Sequence, residues 1–295
     1  MGFLFLILAK ITAIIKMSAM KCCGRISTGT NGSVKINLIR SVGCLLVSIF
    51  ICALSGFESM EYKVLFIAVL SGISNGLLLC SWVIAAEKVS LAAVETFSMI
   101  GGVLFPMLLS FFLPTESAPG LLSILGAVIL IFASYLFLPI SNKEKLSPTL
   151  IPLLILVAFS NCGCVLSQKL FSSYGGTSVA TFNLLTFAFC TLILSLTAVC
   201  MSVRKRPVRK KNGSVFLKKE AIIYILLAIV MLYASQYFQT VSASFFTASI
   251  FYPLSYALAM PMTFITDILL FKEKISKRSI FAIILVISSA ILIYI

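Results

Sequence analysis

A chain of 295 residues with 60% hydrophobic and only 11% charged side chains, and a mean hydropathy of +1.13, cannot coat a water-facing surface. Soluble domains carry about 25% charged residues, so lipid must be the solvent for most of this one. The formal net charge of +14 excludes nucleic acid as a partner rather than inviting it, because the lysines and arginines stand in short segments between apolar runs instead of forming one solvated basic face.

Crossing the hydrocarbon core takes about 20 predominantly apolar residues. Ten such runs are readable, at 2–20, 36–56, 63–86, 91–113, 119–140, 149–170, 178–201, 220–240, 245–270 and 279–295. Each is expected to be a helix, since in lipid every backbone N–H and C=O must be satisfied within its own segment. The first run has no positive region ahead of it and no small-residue cleavage site after it, and Lys10 interrupts its middle. It reads as a mature helix rather than a signal peptide.

An ionisable residue at a helix centre costs at least ~2.5–3.5 kcal/mol on insertion scales, and from mid-helix Lys10 reaches an interface poorly. It is therefore a candidate for a central cavity, as counter-charge to a substrate carboxylate or phosphate or as partner of an acidic side chain. In the third run Asn75 and Trp82 are seven apart and share a face with Leu78 and Leu79. Trp82 offers a ring for stacking on a ring or cation, or an anchor at the membrane interface. Gly72 and Gly76 form a GxxxG pair, while Gly101–Gly102 and Ser255/Ala259 likewise permit close helix approach.

Glu95 opens the fourth run and shares its face with Ser98, Met99 and Gly102. Either it pairs with Lys88 near the surface, or it lines the cavity and carries a coupling proton. Asn161 and Gln168 form a seven-residue stripe in the sixth run; Tyr233, Gln236, Tyr237 and Thr240 form another in the eighth. Buried amides and phenols need partners, and three such stripes together point to a polar central cavity. Pro106, Pro253 and Pro261 interrupt the fourth and ninth runs as hinge or kink candidates. Asp267, near the end of the ninth, reads as interfacial. The nine cysteines lie mostly in apolar runs without C-x₂-C spacing, and there is no histidine. They read as small hydrophobes, and neither a metal site nor a cofactor is expected.

Nineteen of the 23 basic residues fall in odd-numbered connections, Arg40 among them, and two, Lys63 and Lys169, in even-numbered ones. That bias puts the odd connections in the cytoplasm and both termini outside. The basic stretch at 202–220 reads as a topology anchor, with anionic lipid as the other reading.

Each half ends alike: a proline-containing helix, a loop with a glutamate (Glu116 in PTESAPG, Glu273 in KEKISKRS), and an apolar helix. Each half thus holds five helices, and an odd number forces the second half upside down relative to the first, the inverted-repeat plan of many secondary transporters. On these residues, above all LLFKEKISKRSIFAIILVISSAIL and the FSNCGCVLSQK stretch at 159–169, the chain resembles the drug/metabolite transporter superfamily, in particular its EamA-like members. The first half has TES where that pattern has glycine-glutamate. The resemblance implies an all-α ten-helix bundle of two repeats, 1–141 and 142–295.

The function so implied is a secondary permease moving a small organic metabolite or drug-like compound across the cytoplasmic membrane by alternating access. Its energy would come from a coupling proton or ion gradient, from exchange or from simple facilitated flow, and it would act as monomer or homodimer. The alternative is a lipid or polyprenyl-phosphate flippase of the same fold. No G-x-x-x-x-G-K-[ST] motif for ATP is present, and no enzyme activity is expected.

Overall fold

The computed structural model describes residues 1–26, 30–59, 61–86, 91–110, 119–136, 150–174, 177–203, 219–272 and 277–294. Among them there is no strand, and ten helices take up nearly every residue: α1 (Gly2–Ile26), α2 (Thr30–Ser55), α3 (Tyr62–Ala86), α4 (Leu91–Ser110), α5 (Leu121–Leu136), α6 (Ile151–Tyr174), α7 (Val179–Val203), α8 (Lys219–Ala243), α9 (Ala248–Phe271) and α10 (Lys277–Tyr294). They fall on the ten expected runs. Seven of them are long and apolar enough to cross a bilayer. The apolar stretches of α4 and α5, Phe97–Leu108 and Leu121–Leu136, are shorter within the described residues.

Helix α1 runs antiparallel along α8. Ser242 Oγ at the end of α8 donates to the Gly2 carbonyl at 3.1 Å, and Phe5 stacks on Phe238 with ring centroids 6.2 Å apart. Helix α3 runs antiparallel along α6: Val64 and Ala68 share a cluster with Phe171 at one end, and Ala85 shares one with Leu154 at the other. Helix α5 lies antiparallel on α10, with Gly126 against Ile293 and the Arg278 guanidinium 5.9 Å from the Tyr135 ring. The remaining larger packings are α2 on α7, α3 on α7, α4 on α6, α9 on α10, α2 on α8, α4 on α9 and α1 on α9.

Helices in lipid gain little from apolar burial and depend on close van der Waals approach. Small residues supply it here. A methyl at Gly72 would strike the Thr186 carbonyl and Phe189 of α7, and one at Gly101 would overlap the Ala158 backbone of α6. The outer faces carry large apolar side chains, with Leu54, Phe66 and Leu269 more than two-thirds exposed. Serines, threonines and amides are buried instead.

Among the described residues, two basic residues counted above with the loops are buried within helices. Arg40 is within α2 and 5% exposed; a charge count made near a run's end takes in residues that the helix has already drawn inward. Lys169 is within α6 and buried, where its ammonium donates to the carbonyls of Ala243 (3.2 Å) and Phe246 (2.6 Å) at the α8–α9 turn. A cation placed there satisfies carbonyls that the end of α8 leaves without helical partners. Lys169→Met should strand two buried acceptors, at about 1–3 kcal/mol each. A thermal midpoint lowered by several degrees, with faster amide exchange at 243–247, checks this; an unchanged midpoint contradicts it.

Candidate functional site

Asn161, midway along α6, donates both amide hydrogens, to the Ser98 carbonyl of α4 (2.6 Å) and to the Tyr256 hydroxyl of α9 (2.5 Å). The same tyrosine ring faces Lys10 of α1, whose ammonium is 5.9 Å from its centroid. Four helices thus meet through three side chains and one carbonyl. Pro106 lies one turn beyond Gly102 on the same helix. Lacking an N–H, it leaves the Gly102 carbonyl one turn earlier without its helical donor, and the groups lying against Gly102 are the Tyr256 hydroxyl and the Asn161 amide.

Lys10 is 8% exposed, and among the described residues its ammonium has no hydrogen bond and no ion pair. Lys16, on the same helix, lies close enough to repel it. The described carboxylates, Glu58 and Glu61, are exposed at the end of α2 and before α3, where Glu58 accepts a hydrogen bond from the Ser178 N–H. The Lys10 ammonium therefore stands in the interior with no described carboxylate beside it.

A second level of the interior is built from amides. Gln168 Nε2 of α6 donates to Gln236 Oε1 of α8 at 2.8 Å, and Gln236 Nε2 reaches Asn75 Oδ1 of α3 at 3.4 Å. Asn75 in turn donates to the Ser71 carbonyl at 2.9 Å. Because Asn161 and Gln168 are seven apart on α6, one helix face carries both levels.

One turn away, Tyr233 of α8 lies against Phe187 of α7, with centroids 6.1 Å apart, and next to Tyr237 at 6.4 Å. Its hydroxyl and the Asn183 amide face each other without meeting hydrogen-bond geometry. With Ser71 Oγ, Thr186 Oγ1 and Gln168 Oε1 they form a set of buried polar atoms lacking protein partners. Buried groups of this kind cost roughly 1–3 kcal/mol each unless met, so water or a polar ligand belongs among them.

Of the residues expected to line a cavity, Lys10, Asn75, Asn161, Gln168, Tyr233, Gln236 and Tyr237 lie in these interior clusters. Trp82 does not join them: it packs beside Ala85, Val94, Leu154 and Val157, an apolar cluster at the opposite end of α3 from Tyr62. Glu95 falls on α4, but its side chain lies outside the described residues, as does that of Asp267; Glu116, Glu273 and most of the basic stretch 202–220 lie outside them altogether. Tyr256, Asn183 and Thr186 escaped the sequence reading because single polar side chains in apolar runs form no stripe. Asn183 and Thr186, three apart on α7, did offer a weak signal. A separate cleft of about 460 Å³ runs between α1, α8 and α9, lined by Ile14, Ser18, Ala19, Tyr224, Leu227 and Thr266 among others.

Gly102→Ala should place a methyl onto the Tyr256 hydroxyl and the Asn161 amide. Both are the mobile ends of side chains, so the expected result is a thermal midpoint within about 2 °C of wild type, since small adjustments cost under ~1 kcal/mol. A midpoint lowered by more than about 5 °C would show that neither side chain can give way.

An apolar exterior, ten helices and a polar interior define a multi-pass α-helical membrane protein. No family model matches the chain, and no curated protein matches it. Solved structures do: one, described only as "Crystal structure of protein", superimposes with a TM-score of 0.72 at 16% identity, covering 97% of this chain and 95% of that one. At that identity the likeness is one of fold.

Proposed function

We propose that the chain is a secondary transporter that moves a small organic metabolite across the cytoplasmic membrane by alternating access. The observation that carries this reading is the polar interior itself. Amide, phenol and cationic side chains from α1, α3, α6, α8 and α9 converge there, several with buried atoms that lack protein partners. A protein that only had to be stable would do better with apolar packing at these positions.

Two inverted five-helix halves, 1–141 and 142–295, account for how the helices pair. Exchanging each helix for the one five places on turns α1–α8 into α6–α3, α4–α6 into α9–α1, and α2–α8 into α7–α3, while α2–α7, α4–α9 and α5–α10 map onto themselves; all of these packings occur. Lys10 and Asn161 then stand at similar places, on α1 facing α9 and on α6 facing α4. Such symmetry supports the resemblance to the EamA-like drug/metabolite transporters, and the loop charges support both termini outside.

The test is exchange of labelled metabolites by purified protein in liposomes, screened across a panel. Saturable counterflow of one compound, absent from empty liposomes, is the expected result; a panel without any counterflow would count against the reading. The flippase reading draws on the cleft between α1, α8 and α9, whose edge residues Ile15 and Leu270 are exposed toward lipid. Among the described residues its lining carries no charge to hold a head group, and the metabolite reading is preferred on that ground.

A further inference from the structure

The transporter reading leaves the chemical class of the cargo open, and the charges of the interior bear on it. Lys10 is buried deep enough that its ammonium meets little solvent, yet its described surroundings offer only the Tyr256 ring at 5.9 Å. An aromatic face at that range contributes roughly 0.5–2 kcal/mol, short of the ~2.5–3.5 kcal/mol a cation costs at a helix centre. Lys16, on the same helix, adds repulsion to the Lys10 ammonium. Among the described residues no carboxylate is buried beside Lys10. Beside the ammonium, the Tyr256 hydroxyl and the Asn161 amide supply polar groups for the rest of a small solute.

On the strength of the transporter reading, we infer that the cargo carries an anionic group, a carboxylate or phosphate, that pairs with the Lys10 ammonium beside Tyr256 and Asn161. The anion supplies the negative charge that the described surroundings of Lys10 lack, so its binding relieves the buried ammonium. The same chemistry is offered by a soluble metabolite and by the head group of an anionic lipid.

The experiment uses the full chain purified in neutral detergent and follows its thermal midpoint. The anionic probes are inorganic phosphate, succinate, citrate and glycerol 3-phosphate; glycerol, succinamide and choline are the uncharged and cationic counterparts, and phosphatidylglycerol forms a lipid arm. At least one anion should raise the midpoint saturably by several degrees. Lys10→Gln should remove the shift and Lys10→Arg should keep part of it, both variants remaining monodisperse. A shift from phosphatidylglycerol alone, lost in Lys10→Gln, upholds the anion site and assigns it to lipid. The inference is overturned if no anion shifts the midpoint, if succinamide or choline shifts it equally, or if Lys10→Gln responds like wild type.

Counterflow in liposomes separates this from the transporter reading. A Lys10-dependent anion that binds but never exchanges refutes transport and leaves the anion site. A neutral or cationic compound exchanged equally by wild type and Lys10→Gln keeps transport and removes the anion site.

Discussion

Lys10→Met is expected to raise the thermal midpoint of the ligand-free protein by on the order of 5 °C while lowering transport at least tenfold. The two effects have one cause. A cation without a charged partner costs about 2.5–3.5 kcal/mol in the middle of a membrane helix, and methionine fills much the same space with no charge to desolvate. At ~2–4 °C per kcal/mol, relief of even half that cost is measurable. A residue kept at such a cost belongs to function, and stability is what function sacrifices. Thermal denaturation of wild type and variant side by side checks the first half, and liposome exchange the second. A midpoint that drops on removing Lys10 would mean that the ammonium is holding the fold together.

Gly101→Leu should prevent accumulation of folded protein, and Gly101→Ala should lower the midpoint by about 5 °C. The atoms a Cβ would strike are the Cα, carbonyl carbon and oxygen of Ala158. A side-chain end can swing aside, but a helix backbone can give way only by moving α6 as a whole. Overpacking of that kind costs roughly 1–3 kcal/mol, more for larger groups. Separating α4 from α6 would also pull the Ser98 carbonyl from the Asn161 amide. As a control, Val128→Leu on the exposed face of α5 should stay within about 0.5 kcal/mol of wild type. Size-exclusion profiles and thermal midpoints of the three variants decide the matter; equal midpoints would show that the two helices have slack.

Lipid made the helices legible in the sequence, because it leaves an unclosed backbone no other way to satisfy its polar groups. The stripes on α6 and α8 were legible for a similar reason: residues seven apart share a face whatever the partner. Their partners were not legible. That Gln168 reaches Gln236, and Gln236 reaches Asn75, depends on how α3, α6 and α8 are tilted together, which no single helix records. Tyr256 looked like one more aromatic in an apolar run, although its hydroxyl packs against Gly102 of α4. Arg40 and Lys169 were counted as topology signals because charge near a run's end usually is one. The structure gives Lys169 a task at the α8–α9 turn and leaves Arg40 buried in α2. Trp82 was placed on a polar face by its spacing from Asn75, but α3 is long enough to carry it from the amide level into an apolar cluster.

Alternating access makes the most direct demand on the interior: one position there must meet water from each side in turn. Gln236→Cys, in a chain whose nine native cysteines have been replaced, tests this without knowledge of the cargo. In oriented vesicles a membrane-impermeant maleimide should modify Cys at position 236 whether it is added outside or inside, with an added substrate changing the ratio of the two rates. Modification from one side only, or from neither, under every condition would contradict a transporter and leave a membrane protein whose polar core is permanently closed to one face.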